Sequence, residues 1–88
     1  MQKSISEMTT RDRLITVFAA AFELPENSEL VKAEYGRTVG WDSMAHMRLI
    51  TELENSFDVM LDTHEVIGLS SFQKALEILE KHGVSSAA

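Results

Sequence analysis

Asp42 and Ser43 stand where a polar loop, Gly36-Arg37-Thr38-Val39-Gly40, gives way to a run of helical periodicity from Met44 to Phe57. An aspartate at such a junction is a natural N-cap, because its carboxylate accepts from backbone N–H groups two and three residues on. Ser43 is then the first helical residue, with its hydroxyl beside the unpaired amides of the first turn. Those amides and the helix dipole favour a negative group, and a phosphate suits them best. A serine in this place is suited to carry a phosphodiester.

Other chemistry is poorly served. Asp42, Ser43 and His46 supply the residue types of a hydrolase triad, but the acid adjoins the serine, whereas a triad needs it behind the histidine. There is no Gly-x-Ser-x-Gly elbow. His46, His64 and His82 fall on three different helices without paired-ligand spacing, so no metal site is expected. Phosphate-loop and dinucleotide motifs are absent. The chain has no cysteine, which excludes disulfides, thiolate metal sites and a protein thiol nucleophile. Any thioester chemistry must therefore draw its thiol from a prosthetic group. The plain alternative for Ser43 is an unmodified residue at a helix start.

The 88 residues make one small domain, near the lower range for a single core without staples. Eight Lys and Arg against 14 Asp and Glu give a net charge of −6. That balance argues against nucleic acid as a partner and predicts partners with basic docking patches. No apolar run approaches the ~20 residues that span a bilayer, and the first seven residues lack a signal-peptide core. The sequence reads as cytoplasmic.

The elements that position Ser43 follow in order. Residues 1–8 form a mixed tail. Thr9 and Asp12 fit a helix start, and Leu14, Val17, Phe18, Ala21 and Phe22 recur on one face. Pro25 ends that helix at about Glu23. A long loop follows to Trp41, with Leu30, Val31, Tyr35, Val39 and Trp41 as its expected pins and a helical turn near 28–33. The second helix spans about Ser43 to Phe57. Its expected stripe is Met44, Met47, Ile50, Leu53 and Phe57, with Leu49 beside it and Ala45, Arg48, Glu52 and Asn55 outside. A short link holds Val59-Met60-Leu61. Asp62 or Thr63 caps a short third helix ended by Gly68, and Ser70 with Gln73 opens the last helix. Phe72, Ala75, Leu76 and Leu79, with Ile78 alongside, form its stripe, and Lys81, His82 and Gly83 close it. The fold class is all-α: three main helices and one short helix around one core, with no strand and no repeat.

At Asp42-Ser43-Met44 the sequence resembles the acyl carrier protein family, whose modified serine stands in Asp-Ser-Leu, and the helix order matches that family from about Asp12 to Gly83. The resemblance implies a carrier domain over 9–83, flanked by flexible tails at 1–8 and 84–88. It implies phosphopantetheine, taken from coenzyme A, on Ser43, with Asp42 orienting the helix start. The arm's thiol would hold an acyl group as a thioester and pass it between enzymes of fatty acid or polyketide biosynthesis. The implied partners are a phosphopantetheinyl transferase, an acyl- or aminoacyl-activating enzyme, and an acyltransferase or condensing enzyme. The carrier itself would catalyse nothing, and a monomer is expected.

Partner enzymes are expected to read Met44, Ala45, His46 and Arg48 around the arm, with Trp41 at the loop end. Fatty-acid carriers of the family present acid on this helix face, whereas here acid first appears at Glu52. This departure implies a specialised stand-alone member with dedicated enzymes. The plain reading of Arg48 is an i, i+4 pair with Glu52. Where family members bury a fatty chain, the corresponding lining would be Met47, Ile50, Leu53, Ile67, Phe72 and Leu76. Core filling is the plain reading of these residues. An aminoacyl or peptidyl carrier, or an unmodified helical interaction module, are the other readings.

Overall fold

The computed structural model describes residues 9–84; the expected tail over 1–8, and all but Val84 of the expected tail over 84–88, lie outside the described residues. Four helices follow in order: α1 (Thr10–Phe22), α2 (Ser43–Phe57), α3 (Thr63–Gly68) and α4 (Phe72–Lys81). No strand forms among the described residues.

Each helix starts where a short polar side chain meets an apolar run. Thr9 accepts from the Asp12 N–H at 2.9 Å while Asp12 accepts back from Thr9, so two otherwise unpaired amides of α1 are satisfied reciprocally. Asp62 and Glu65 form the same reciprocal box on α3. The last helix begins one residue later than the spacing predicts. Ser71, rather than Ser70, caps α4 by accepting from the Lys74 N–H at 3.0 Å. Ser70 instead uses its carbonyl to hold the Tyr35 N–H, which commits it to the loop.

The helix ends are equally specific. Gly83 (φ 87°) closes α4, with the Val84 N–H reaching back to the Leu79 carbonyl in a Schellman turn. Val84 packs against the core. The same turn closes α1 and α2, but there the left-handed residues are Glu23 (φ 58°) and Asp58 (φ 54°). Left-handed backbone costs an L-residue roughly 1–2 kcal/mol. Glu23→Gly should therefore raise stability by about 1 kcal/mol, read as a higher urea midpoint at unchanged slope.

The core is built on aromatic rings. Phe18 lies 5.4 Å from both Phe22 and Trp41 and 5.0 Å from Phe72 by ring centroids. Leu14, Leu49, Leu53, Leu69 and Leu79 are fully buried around them. α1 and α2 also cap one another. Arg13, near the start of α1, donates to the Ser56 carbonyl at the end of α2. Arg48 Nε donates to the Ala21 carbonyl at the end of α1, at 2.9 Å. Each guanidinium thus meets carbonyls that the helix cannot pair and the negative pole of its dipole. Arg48 makes no ion pair with Glu52 among the described residues, so its i, i+4 reading gives way to this role.

The long loop is fastened at several points. A 3-10 turn (Ser28–Lys32), capped by Asn27, buries Leu30. The Tyr35 N–H donates to the Ser70 carbonyl and the Phe72 N–H to the Ala33 carbonyl, forming an antiparallel bridge between the loop and the start of α4. Trp41 is buried, whereas Val39 is 81 % exposed and pins nothing. Gly40 (φ 91°) lets the chain pass so close to α1 that a Cβ there would sit 3.1 Å from the Phe22 carbonyl oxygen. The loop therefore delivers the chain to Asp42 in a fixed direction.

Candidate functional site

Asp42 caps α2 with its side chain, which accepts from the Ala45 N–H at 2.9 Å, and its carbonyl accepts from the His46 N–H at 2.8 Å. Of the first four amides of the helix, those of Ser43 and Met44 have no partner among the described residues. Ser43 is exposed and is the first helical residue. A hydroxyl on the surface, two open amides and the positive end of a fifteen-residue helix converge there. The arrangement suits a phosphate ester on Ser43 oxygen.

The buried face of α2 is rotated from the expected one. Ala45, Leu49, Leu53, Ile50 and Phe57 are buried, while Met44 and Met47 are 73 % and 57 % exposed. Ala45 at i, Leu49 at i+4 and Leu53 at i+8 form its fully buried row. The small Ala45 was the signal, since it lets α2 approach closely where Met44 would not fit. Of the surface residues expected to meet partners, Trp41 and Ala45 are therefore in the core and cannot be touched from outside. Met44 is on the surface, and Arg48 is exposed with its Nε committed to Ala21.

His46 is half-buried and committed on both nitrogens. Trp41 Nε1 donates to its Nδ1 at 3.0 Å, and its Nε2 lies 2.8 Å from the Val66 carbonyl of α3. Its ring lies nearly coplanar with Trp41, at 17° with centroids 6.0 Å apart, and meets the Tyr35 ring edge to face.

The six expected pocket residues do not surround one cavity. Ile50, Leu53 and Phe72 are packed in the core, Leu76 is half-buried at its edge, and Met47 and Ile67 are on the surface. One concavity beside α3 is an open groove of about 240 Å³, lined by Tyr35, His46, Val66, Ile67, Leu69 and Ser70.

An acyl carrier protein of Chlorobium luteolum is 23 % identical over 77 residues, which make up 88 % of this chain and 99 % of that protein. No family model and no solved structure matches. The likeness supports a carrier role in general. It spans the four helices and the loop together, so it bears on the whole arrangement rather than on the Asp42-Ser43 pair alone. No helix among the described residues is long and apolar enough to cross a membrane, and no cluster of His, Asp and Glu there could hold a metal.

The α3 carboxylate Glu65 is a structural residue that sequence reading missed, although Asp62-x-x-Glu65 carries the capping-box pattern. It is buried, accepts from the Asp62 N–H, and holds His82 Nε2 at 2.9 Å with Lys81 at 3.7 Å. The His82 hydrogen bond, then the Asp62 N–H, then the charges of His82 and Lys81 hold its carboxyl below the ordinary 4.5, against the opposing pull of burial. A carboxyl lowered on folding contributes stability that is complete above its unfolded value and is lost as pH falls through the folded one. Stability should thus decline as the pH drops below about 4.5, and more shallowly in Glu65→Gln, as followed by thermal melts from pH 7 to 3.

Proposed function

We propose that this chain is an acyl carrier, modified on Ser43 with phosphopantetheine. The observation that carries the reading is the exposed Ser43 at the first position of α2, with Asp42 occupying the cap and the Ser43 and Met44 amides left open. The similarity to a carrier protein over nearly the whole chain supports it. Ser43 oxygen would hold the phosphodiester, the two amides and the helix dipole would stabilise its charge, and Asp42 would keep the helix start in register. The bound group supplies a thiol that the cysteine-free chain lacks. The protein does no chemistry of its own: tethering the cargo raises its local concentration at each enzyme in turn.

The partners follow from the arm's chemistry: a phosphopantetheinyl transferase, an activating enzyme that loads the thiol, and a transferase or condensing enzyme that takes the cargo. Met44, with Val39 and Met47, supplies an exposed apolar rim for such contacts near Ser43. Intact mass after incubation with coenzyme A and a broad-specificity phosphopantetheinyl transferase tests the proposal. The expected gain is one phosphopantetheine; no gain from folded protein overturns it.

A further inference from the structure

We propose that His46 shuts the seam between α2 and α3 against long aliphatic chains, so that the cargo is a short acyl group held outside the helices. This rests on the carrier reading of Ser43. His46 lies one turn beyond Ser43 on the same helix, beside the first point at which a tethered chain could turn inward. Its two bonds fix its state. Trp41 Nε1 can only donate, so Nδ1 must accept; the Val66 carbonyl can only accept, so Nε2 carries the proton. The imidazole is therefore neutral with its hydrogen on Nε2, clamped between the loop and α3. The in-plane bond to Trp41 and the edge-to-face contact with Tyr35 hold its plane.

The Val66 carbonyl lies in the last four residues of the six-residue α3, where no helical amide can reach it. Among the described residues, His46 is the donor it has. A chain of methylenes entering the seam would have to part this bond and leave a carbonyl and an imidazole N–H against hydrocarbon, which is strongly unfavourable. Outside the imidazole lies the open groove lined by Tyr35, Val66, Ile67, Leu69 and Ser70, where a tethered group stays in contact with water.

The test loads Ser43 by transferase from acetyl- and octanoyl-coenzyme A and times thioester cleavage by hydroxylamine. In the native protein the two thioesters should be cleaved within twofold of each other. In His46→Ala the octanoyl thioester should be cleaved at least fivefold more slowly than the acetyl one. His46→Gln, whose amide can accept from Trp41 and donate to Val66, should behave as native. Fivefold slower cleavage of the octanoyl thioester in the native protein overturns the proposal and needs no variant. Equal cleavage of both thioesters in folded His46→Ala also overturns it. Failure of the carrier reading looks different: neither acyl-pantetheine adds to the mass, and there is no thioester to time.

Discussion

Ser43→Ala should take up no phosphopantetheine and still melt within a few degrees of the native protein. The separation follows from the division of labour at the start of α2. Asp42 provides the cap through its side chain and carbonyl, while Ser43 is exposed and makes no side-chain hydrogen bond among the described residues. Removing an exposed hydroxyl costs about 0.5 kcal/mol or less, and alanine is the better helix former. Asp42→Ala is the reciprocal case. It should cost about 0.5–2 kcal/mol by loss of the cap, while Ser43 remains available and is modified more slowly. Mass spectrometry for uptake and calorimetry for stability separate the two effects. A mass gain in Ser43→Ala would place the modification elsewhere.

Trp41→Ala should be the most destabilising single change near the site, by about 3–5 kcal/mol. Trp41 is only 2 % exposed and meets Phe18, Phe22 and Tyr35 through its ring. Its truncation opens a cavity at the aromatic centre and leaves His46 Nδ1 without its donor. Small domains are stable by only about 5–15 kcal/mol, so a sizeable share of the total is lost. Trp41→Phe keeps a ring and removes the N–H, which lowers the expected cost to about 1–2 kcal/mol. Because Trp41 is the single tryptophan, urea unfolding must be followed by far-ultraviolet circular dichroism. A loss below 1 kcal/mol in Trp41→Ala would mean that the loop is held without it.

What the sequence made legible was punctuation and period. Thr9, Asp42 and Gly83 mark helix ends by local chemistry, and their neighbours cannot override them, so α1, α2 and α4 lie close to where spacing predicts. The core stripes of α1 and α4 were also readable, because Leu14, Val17 and Phe18, or Phe72, Ala75 and Leu79, have no equally apolar competing face. α2 was harder. It carries apolar residues around much of its first two turns, and only packing against α1 decides that Ala45 and Leu49 go inward while Met44 and Met47 stay out. Ser43 could be singled out from its neighbours alone. The bonds of His46, Arg48 and Glu65 could not, since each reaches a partner at least 17 residues away: Val66, Ala21 and His82.

The bridge between the loop and the start of α4 bears on the order in which the site comes into being. Ser43 leaves the ribosome well before Ser70 to Phe72, whose backbone groups hold Ala33 and Tyr35 in place. Until that later segment emerges, the loop has no strand to pair with, and its polar groups are left to water. Domains of this size fold as units, so the geometry around Ser43 belongs to the finished chain. On the proposed carrier reading, a transferase that reads the loop together with the serine would act on the folded domain and pass over chains in which that bridge has not formed.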